Sequence, residues 1–223
     1  MQTVTSERGV RVTKVLLTGG IIAGPLYVGV GVIEALTRSG FDPTRHDLSL
    51  LANGSWGWVH STLLVTTGLL AFAAAVGMRR VLRGNKGGKW GPLLLGLYGL
   101  GLVGAGFFAA DPALGFPPGT PADARDVSAQ GLMHLVSGSI GFLGLIAACF
   151  VFARRFASSG ERRWALYSKL TGIFYFAAFF GIAMGSNGSG ALLTTVIFGF
   201  IIAVILGWAW ISAVSARLKR ELT

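Results

Sequence analysis

Six apolar runs separated by short polar gaps make up almost the whole chain. About 20 apolar residues cross a bilayer as helix. The runs predict spans over Val15–Thr37, Trp56–Met78, Gly91–Ala110, Ala129–Ala153, Ala165–Ser186 and Ala191–Ser215. The gaps carry turn chemistry. Asn85, Gly87 and Gly88 break the second gap, and Gly115, Pro117, Pro118, Gly119 and Pro121 break the third. Ser186-Asn187-Gly188-Ser189-Gly190 predicts a tight turn between the last two spans. The expected fold is all-α, a six-transmembrane-helix bundle over residues 15–215, with short cytoplasmic tails at 1–14 and 216–223. The first run follows Arg8, Arg11 and Lys14 as a signal peptide would. It is too long for one and lacks a small-x-small cleavage site, so it reads as a retained span.

Composition agrees with that pattern. Only 13% of the 223 residues are charged, against about 25% in soluble domains. The net charge of +10 does not point to nucleic acid, because the basic residues occupy short loops between spans. Arg8, Arg11, Lys14, Arg79, Arg80, Arg83, Lys86, Lys89, Arg154, Arg155, Arg162, Arg163, Lys169, Arg217, Lys219 and Arg220 fall on one side of the stack. Arg38, Arg45 and Arg125 fall on the other. By the positive-inside rule both termini are expected in the cytoplasm, with the protein multi-pass in the cell (inner) membrane. A lone cysteine, Cys149, excludes an intramolecular disulfide.

Glycine accounts for 34 residues, mostly inside the spans. Gly20 and Gly24, Gly181 and Gly185, and the series Gly138, Gly141 and Gly144 have helix-packing spacing. They predict close seams, either inside one chain or between copies in a homo-oligomer.

The first and third gaps echo each other. One reads Asp42-Pro43, Arg45, Asp47-Leu48-Ser49, Gly57 and His60; the other reads Asp111-Pro112, Arg125, Asp126-Val127-Ser128, Gly131 and His134. The third helical hairpin lacks these elements, so a pseudo-repeat of two hairpins is one reading and coincidence the other. In both gaps Asp can cap a turn and Pro can stop a helix. Ser49 and Ser128 are expected as helix caps.

The chemistry gathers on the same side. All three histidines lie there, with six of the nine acids. His60 and His134 each fall about one turn into a returning span, at matching depth. Asp111 is expected to close span three, and Glu34 lies near the end of span one with Arg38 one turn on, in salt-bridge order. Ionisable groups in membrane segments usually face a protein interior or a wet cavity. The candidate ligand-binding set is Glu34, Arg45, Asp47, His60, Asp111, Arg125, Asp126 and His134. Two histidines and a carboxylate suit zinc or iron, so His60, Asp111 and His134 are also a candidate metal set, although no metal-motif spacing is present. The alternative is inter-helix hydrogen bonding by the imidazoles. Arg45 and Arg125 could hold a headgroup phosphate or pair with Asp47 and Asp126. Phe174, Tyr175, Phe176, Phe179 and Phe180 in span five either line a pocket for an apolar chain or face lipid and packing.

The stretch Phe41-Asp42-Pro43-Thr44-Arg45-His46-Asp47-Leu48-Ser49-Leu50-Leu51, with Gly57-Trp58 after it, resembles a bacterial and archaeal membrane family known as domain of unknown function 998. Phe107 to Pro121, with Asp111-Pro112 and Gly119, then Gly131 and His134, is similar to it too. The resemblance covers about residues 15–215. It implies six spans in a bacterial cell membrane and no settled activity or cofactor. His134 and Asp111 match it, whereas His60 stands where glutamine or another polar residue is expected.

Three functional readings follow. The first is a binding or transport-related module whose polar pocket takes a small molecule or lipid headgroup. The second is a membrane-embedded enzyme acting on a lipid or isoprenoid, with Asp111 or Glu34 as acid or base and a metal or haem on the histidines. The third is an accessory subunit that packs through its glycine faces.

Overall fold

The computed structural model describes residues 6–84, 87–185, 188 and 190–222. Asn85, Lys86, Ser186, Asn187 and Ser189 lie outside the described residues. Among those described, six α-helices are long and apolar enough to cross a membrane: α1 Glu7–Thr37, α2 Gly57–Val81, α3 Trp90–Phe107, α4 Ala129–Ser158, α5 Arg162–Gly185 and α6 Gly190–Arg220. A short 3-10 helix, Leu48–Ala52, fills the first gap. The helices run further than hydropathy predicts at the basic end, so residues 7–14 and 216–220, expected as tails, are helical. Ser6 caps α1 by accepting the Gly9 amide, and charged side chains extend the helix beyond the apolar run. In contrast, α3 ends at Phe107, which leaves Asp111 in the loop.

Each helix packs on the next, and α6 closes back on α1. Trp208 of α6 lies fully buried between Tyr27 of α1 and Tyr98 of α3, at ring-centroid distances of 5.2 and 5.5 Å. Large apolar side chains such as Ile33, Leu36, Leu132 and Ile173 point outward, as expected where the solvent is lipid.

Glycine sets the helix spacing from within. A Cβ on Gly24 would lie 2.5 Å from Ser212 Oγ and 3.0 Å from the Trp208 carbonyl oxygen. The Gly20 and Gly24 pair is therefore a seam between α1 and α6 of one chain. A Cβ on Gly101 would meet Gly141 Cα and the Ser137 carbonyl at 2.6 Å, so α3 and α4 touch backbone to backbone. Gly181 has no such neighbour, and neither has Gly138 apart from Phe142 at 3.8 Å.

The α1–α6 seam also solves a backbone problem. Pro25 sits inside α1 and has no N–H, which strips the Ile21 carbonyl of its helical donor. Ser212 Oγ donates to the carbonyls of Gly20 (3.1 Å) and Ile21 (3.3 Å) and supplies the missing bond. Close by, Lys219 Nζ donates to Thr18 Oγ1 at 2.7 Å, which ties the last turn of α6 to the start of α1. Both ends of the described chain thus lie at one end of the bundle, together with most of the described basic residues. Arg217 pairs with Glu161 there and stacks over Phe156 and Trp164.

Candidate functional site

The opposite end holds the three histidines, and each does something different. His46 is structural. Its Nδ1 accepts from the Asp42 amide (2.9 Å) and its Nε2 donates to the Leu114 carbonyl (3.0 Å). With Phe41, Leu50, Leu51 and Phe116 it forms a small apolar cap that joins the first and third loops.

His60 and His134 share one mode of attachment. Each lies three residues after a glycine that admits a loop group at very short range. Gly57 admits the Ala52 carbonyl, and Gly131 admits the Asp111 carboxylate. Each imidazole then grips the end of the preceding helix through Nδ1. His60 donates to Glu34 Oε2 of α1 at 2.8 Å. His134 donates to the α3-end carbonyls of Ala105 (2.9 Å) and Phe108 (2.7 Å). The echo between the two gaps is therefore geometric at Gly-x-x-His. It is not geometric at the aspartates. Asp42 Oδ1 accepts from the Thr44 amide (2.9 Å) and hydroxyl (2.7 Å), in its own turn. Asp111 reaches across the loop to the Ser128 amide (2.7 Å) and hydroxyl (2.6 Å). Ser128 caps α4 as expected, by accepting the Gly131 amide. Ser49 does not cap: Asp47 caps the 3-10 helix, and Ser49 donates to it through both amide and hydroxyl.

Glu34 is 5% exposed and His60 fully buried. Arg38 lies 3.6 Å from Glu34 Oε1 and also donates to the Leu51 and Asn53 carbonyls, so it supplies the counter-charge to Glu34. With Nδ1–H committed to a carboxylate, the neutral His60 ring carries its lone pair on Nε2. That atom is buried and has no hydrogen-bond partner among the described residues.

His60 and His134 line the same cavity, of about 230 Å³. Asp47, Ser49, Tyr27 and Ser139 complete its polar part. Phe142, Phe179, Ile182, Phe200 and Val204 form its apolar part, between α4, α5 and α6. Phe179 thus supports the pocket alternative for one member of the span-five aromatics, while Phe176 and Phe180 are 48% and 40% exposed. A larger hollow of about 730 Å³ lies at the basic end beside Arg154, Arg162 and Lys169. It is a shallow surface depression and contains no histidine.

Not all of the expected set converges. Asp111 lines no part of the cavity, and among the described residues no three His, Cys, Asp or Glu side chains come together as a metal-binding group. The expected set of His60, Asp111 and His134 fails because the Asp111 carboxylate is held by the α4 cap. Arg45 donates to the Ala122 carbonyl at 3.4 Å rather than to Asp47, and Arg125 donates to the Gly188 carbonyl at 3.4 Å. Asp126 is exposed. These three lie in the loops and not on the cavity wall. Outside the membrane segments the Asp42 carboxyl is held below its usual range, first by the Thr44 hydroxyl and then by the Thr44 amide.

Sequence reasoning missed Tyr27, Phe142 and Phe200. A signal existed for two of them. His134, Gly138 and Phe142 follow one another every fourth residue on α4, and Tyr27 and Glu34 are seven apart on α1, so each set shares a helix face.

The fold and composition define a multi-pass membrane protein with six helical spans. Within that class the chain belongs to the family described as protein of unknown function DUF998, whose model matches residues 21–217. No curated protein and no solved structure matches it.

Proposed function

We propose that the protein binds a membrane amphiphile, a lipid or an isoprenoid, in the cavity at its histidine end. The observation that carries this reading is the buried, partnerless Nε2 of His60 in a cavity wall that continues into aromatic side chains. A buried polar atom left without a partner costs roughly 1–3 kcal/mol, and a ligand head removes that deficit. The volume of about 230 Å³ is small against the ~300–1,000 Å³ of drug-sized sites. It holds a head and a length of chain, with the rest of the tail in the bilayer. Sixteen basic residues at the end that carries both termini support a cytoplasmic placement of that end in a cell membrane. The cavity then lies toward the extracytoplasmic leaflet.

Gly138 provides the test. Its Cβ position opens on Phe142 alone, at 3.8 Å, so Gly138→Phe fills the cavity without striking backbone. Native mass spectrometry of wild-type protein released from its membrane should show one amphiphile per chain. The variant should lose it while keeping its helicity and gel-filtration profile. Equal retention by both proteins would defeat the reading.

The Glu34–His60 pair favours a second reading, a membrane-embedded enzyme. A carboxylate that orients an imidazole with a free Nε2 is the arrangement of a general base. Turnover of the extracted amphiphile by wild-type protein and not by His60→Gln would promote it.

A further inference from the structure

We propose that the head of the bound amphiphile donates hydrogen bonds and carries no negative charge: an alcohol or an amine, not a phosphate or a carboxylate. This inference rests on the cavity being the binding site and assigns the chemistry of what enters it.

The hydrogen bonds already made in the cavity wall run in one direction. His60 and His134 both give their Nδ1–H to protein acceptors, the first to Glu34 and the second to two helix-end carbonyls. What each neutral ring can offer a ligand is the lone pair of Nε2. Ser49 gives its hydroxyl proton to Asp47, which leaves lone pairs on Ser49 and a carboxylate on Asp47. Three side chains with fixed roles therefore present acceptors, and a fourth presents a negative charge. Tyr27 and Ser139 add hydroxyls that can turn either way.

Among the described residues no lysine or arginine lines the cavity. Arg38 is the cation beside it, and its guanidinium is occupied by Glu34 and the carbonyls of Leu51 and Asn53. A phosphate or carboxylate would meet Asp47 without a compensating cation, which is the unpaired burial of charge that proteins avoid. A hydroxyl satisfies an orphaned lone pair, and an ammonium satisfies two while facing the Asp47 charge. The arginines in the neighbouring loops, Arg45 and Arg125, lie off the cavity wall, and each donates to a loop carbonyl.

The test compares heads on one tail. Full-length protein in nanodiscs of zwitterionic lipid is titrated with a long-chain alcohol, the corresponding primary amine, alkyl phosphate and fatty acid. Binding is read as the ligand-dependent rise in unfolding temperature and by isothermal titration, with Gly138→Phe as the cavity-filled control. The alcohol or the amine should bind at least about tenfold more tightly than either anion, the factor that follows from one unsatisfied buried group. Which of the two binds better identifies a neutral or a cationic natural head. Equal or tighter binding of the phosphate or the fatty acid, lost in Gly138→Phe, would overturn the head assignment and leave the amphiphile reading standing. Binding of none of the four, or binding indifferent to Gly138→Phe, would overturn both.

Discussion

Removing one member of the Glu34–His60 pair should harm the fold far more than removing both. Glu34 has 6% of its side chain exposed, His60 none, and the two atoms in contact are 2.8 Å apart. His60→Phe leaves a buried carboxylate whose remaining partner, Arg38, is 3.6 Å away. Breaking a buried pair from one side costs about 3–5 kcal/mol. The figure here belongs near 3, because Arg38 still screens the carboxylate. Glu34→Leu leaves the His60 Nδ1–H orphaned, at about 2 kcal/mol. In the double variant both polar groups are gone and Arg38 keeps its two carbonyl acceptors, so the loss should fall to about 1 kcal/mol, as for other buried pairs exchanged for apolar side chains. The coupling energy from the four proteins is then roughly 4 kcal/mol, well above the ~0.5 kcal/mol within which independent sites add. Equilibrium unfolding in mixed micelles, followed by circular dichroism, measures it. Additive losses would refute the pairing, since the two side chains would not be reading each other.

Five other perturbations separate packing, loop and site. Ser212→Ala should destabilise by about 1 kcal/mol, the value of the bond it makes to the carbonyl freed by Pro25; an unchanged unfolding midpoint would contradict this. Gly101→Ala should cost about 1–3 kcal/mol by prying α3 from α4. Gly138→Ala should be neutral or stabilising by up to about 1 kcal/mol, and the same ranking in reverse would be inconsistent with the observed helix contacts. Asp111→Asn should lose about 1 kcal/mol through the weakened α4 cap and leave amphiphile binding intact; loss of binding at full stability would return Asp111 to the site. The Asp42 carboxyl, held low by Thr44, contributes stability above the ordinary carboxylate range that is lost as pH falls through its depressed value. Carbon-detected titration should show it rising toward the ordinary value in Thr44→Val and staying low in wild type.

Hydropathy and charge sufficed for the six helices, their order and the end at which the three histidines gather, because a bilayer leaves few solutions for an apolar run of that length. The tight seam between Gly20, Gly24 and α6 was visible as spacing, but whether it closed within one chain depended on α6 returning to α1, which no local pattern encodes. The pairing of Glu34 with His60 was within reach, since both lie at matching depth on consecutive helices. Asp111 misled for a definite reason: its carboxylate serves a cap seventeen residues away, and such a contact leaves no trace in spacing. The apolar wall of the cavity comes mostly from α4, α5 and α6, with Leu64 of α2 and Leu102 of α3. Phe142 shares a face with His134, but Phe179 and Phe200 stand in aromatic-rich or uniformly apolar spans with no polar residue to mark which way they face.

His60 and His134 are proposed to offer their Nε2 atoms to a ligand in a shared cavity. The most direct measurement is a high-resolution map of the protein extracted with its native lipids. Elongated density that begins within hydrogen-bond distance of His60 Nε2 and runs between Phe142, Phe179 and Phe200 is the predicted result. A collapsed cavity, with His60 Nε2 bonded to a protein group and Phe142 against α6, would contradict it.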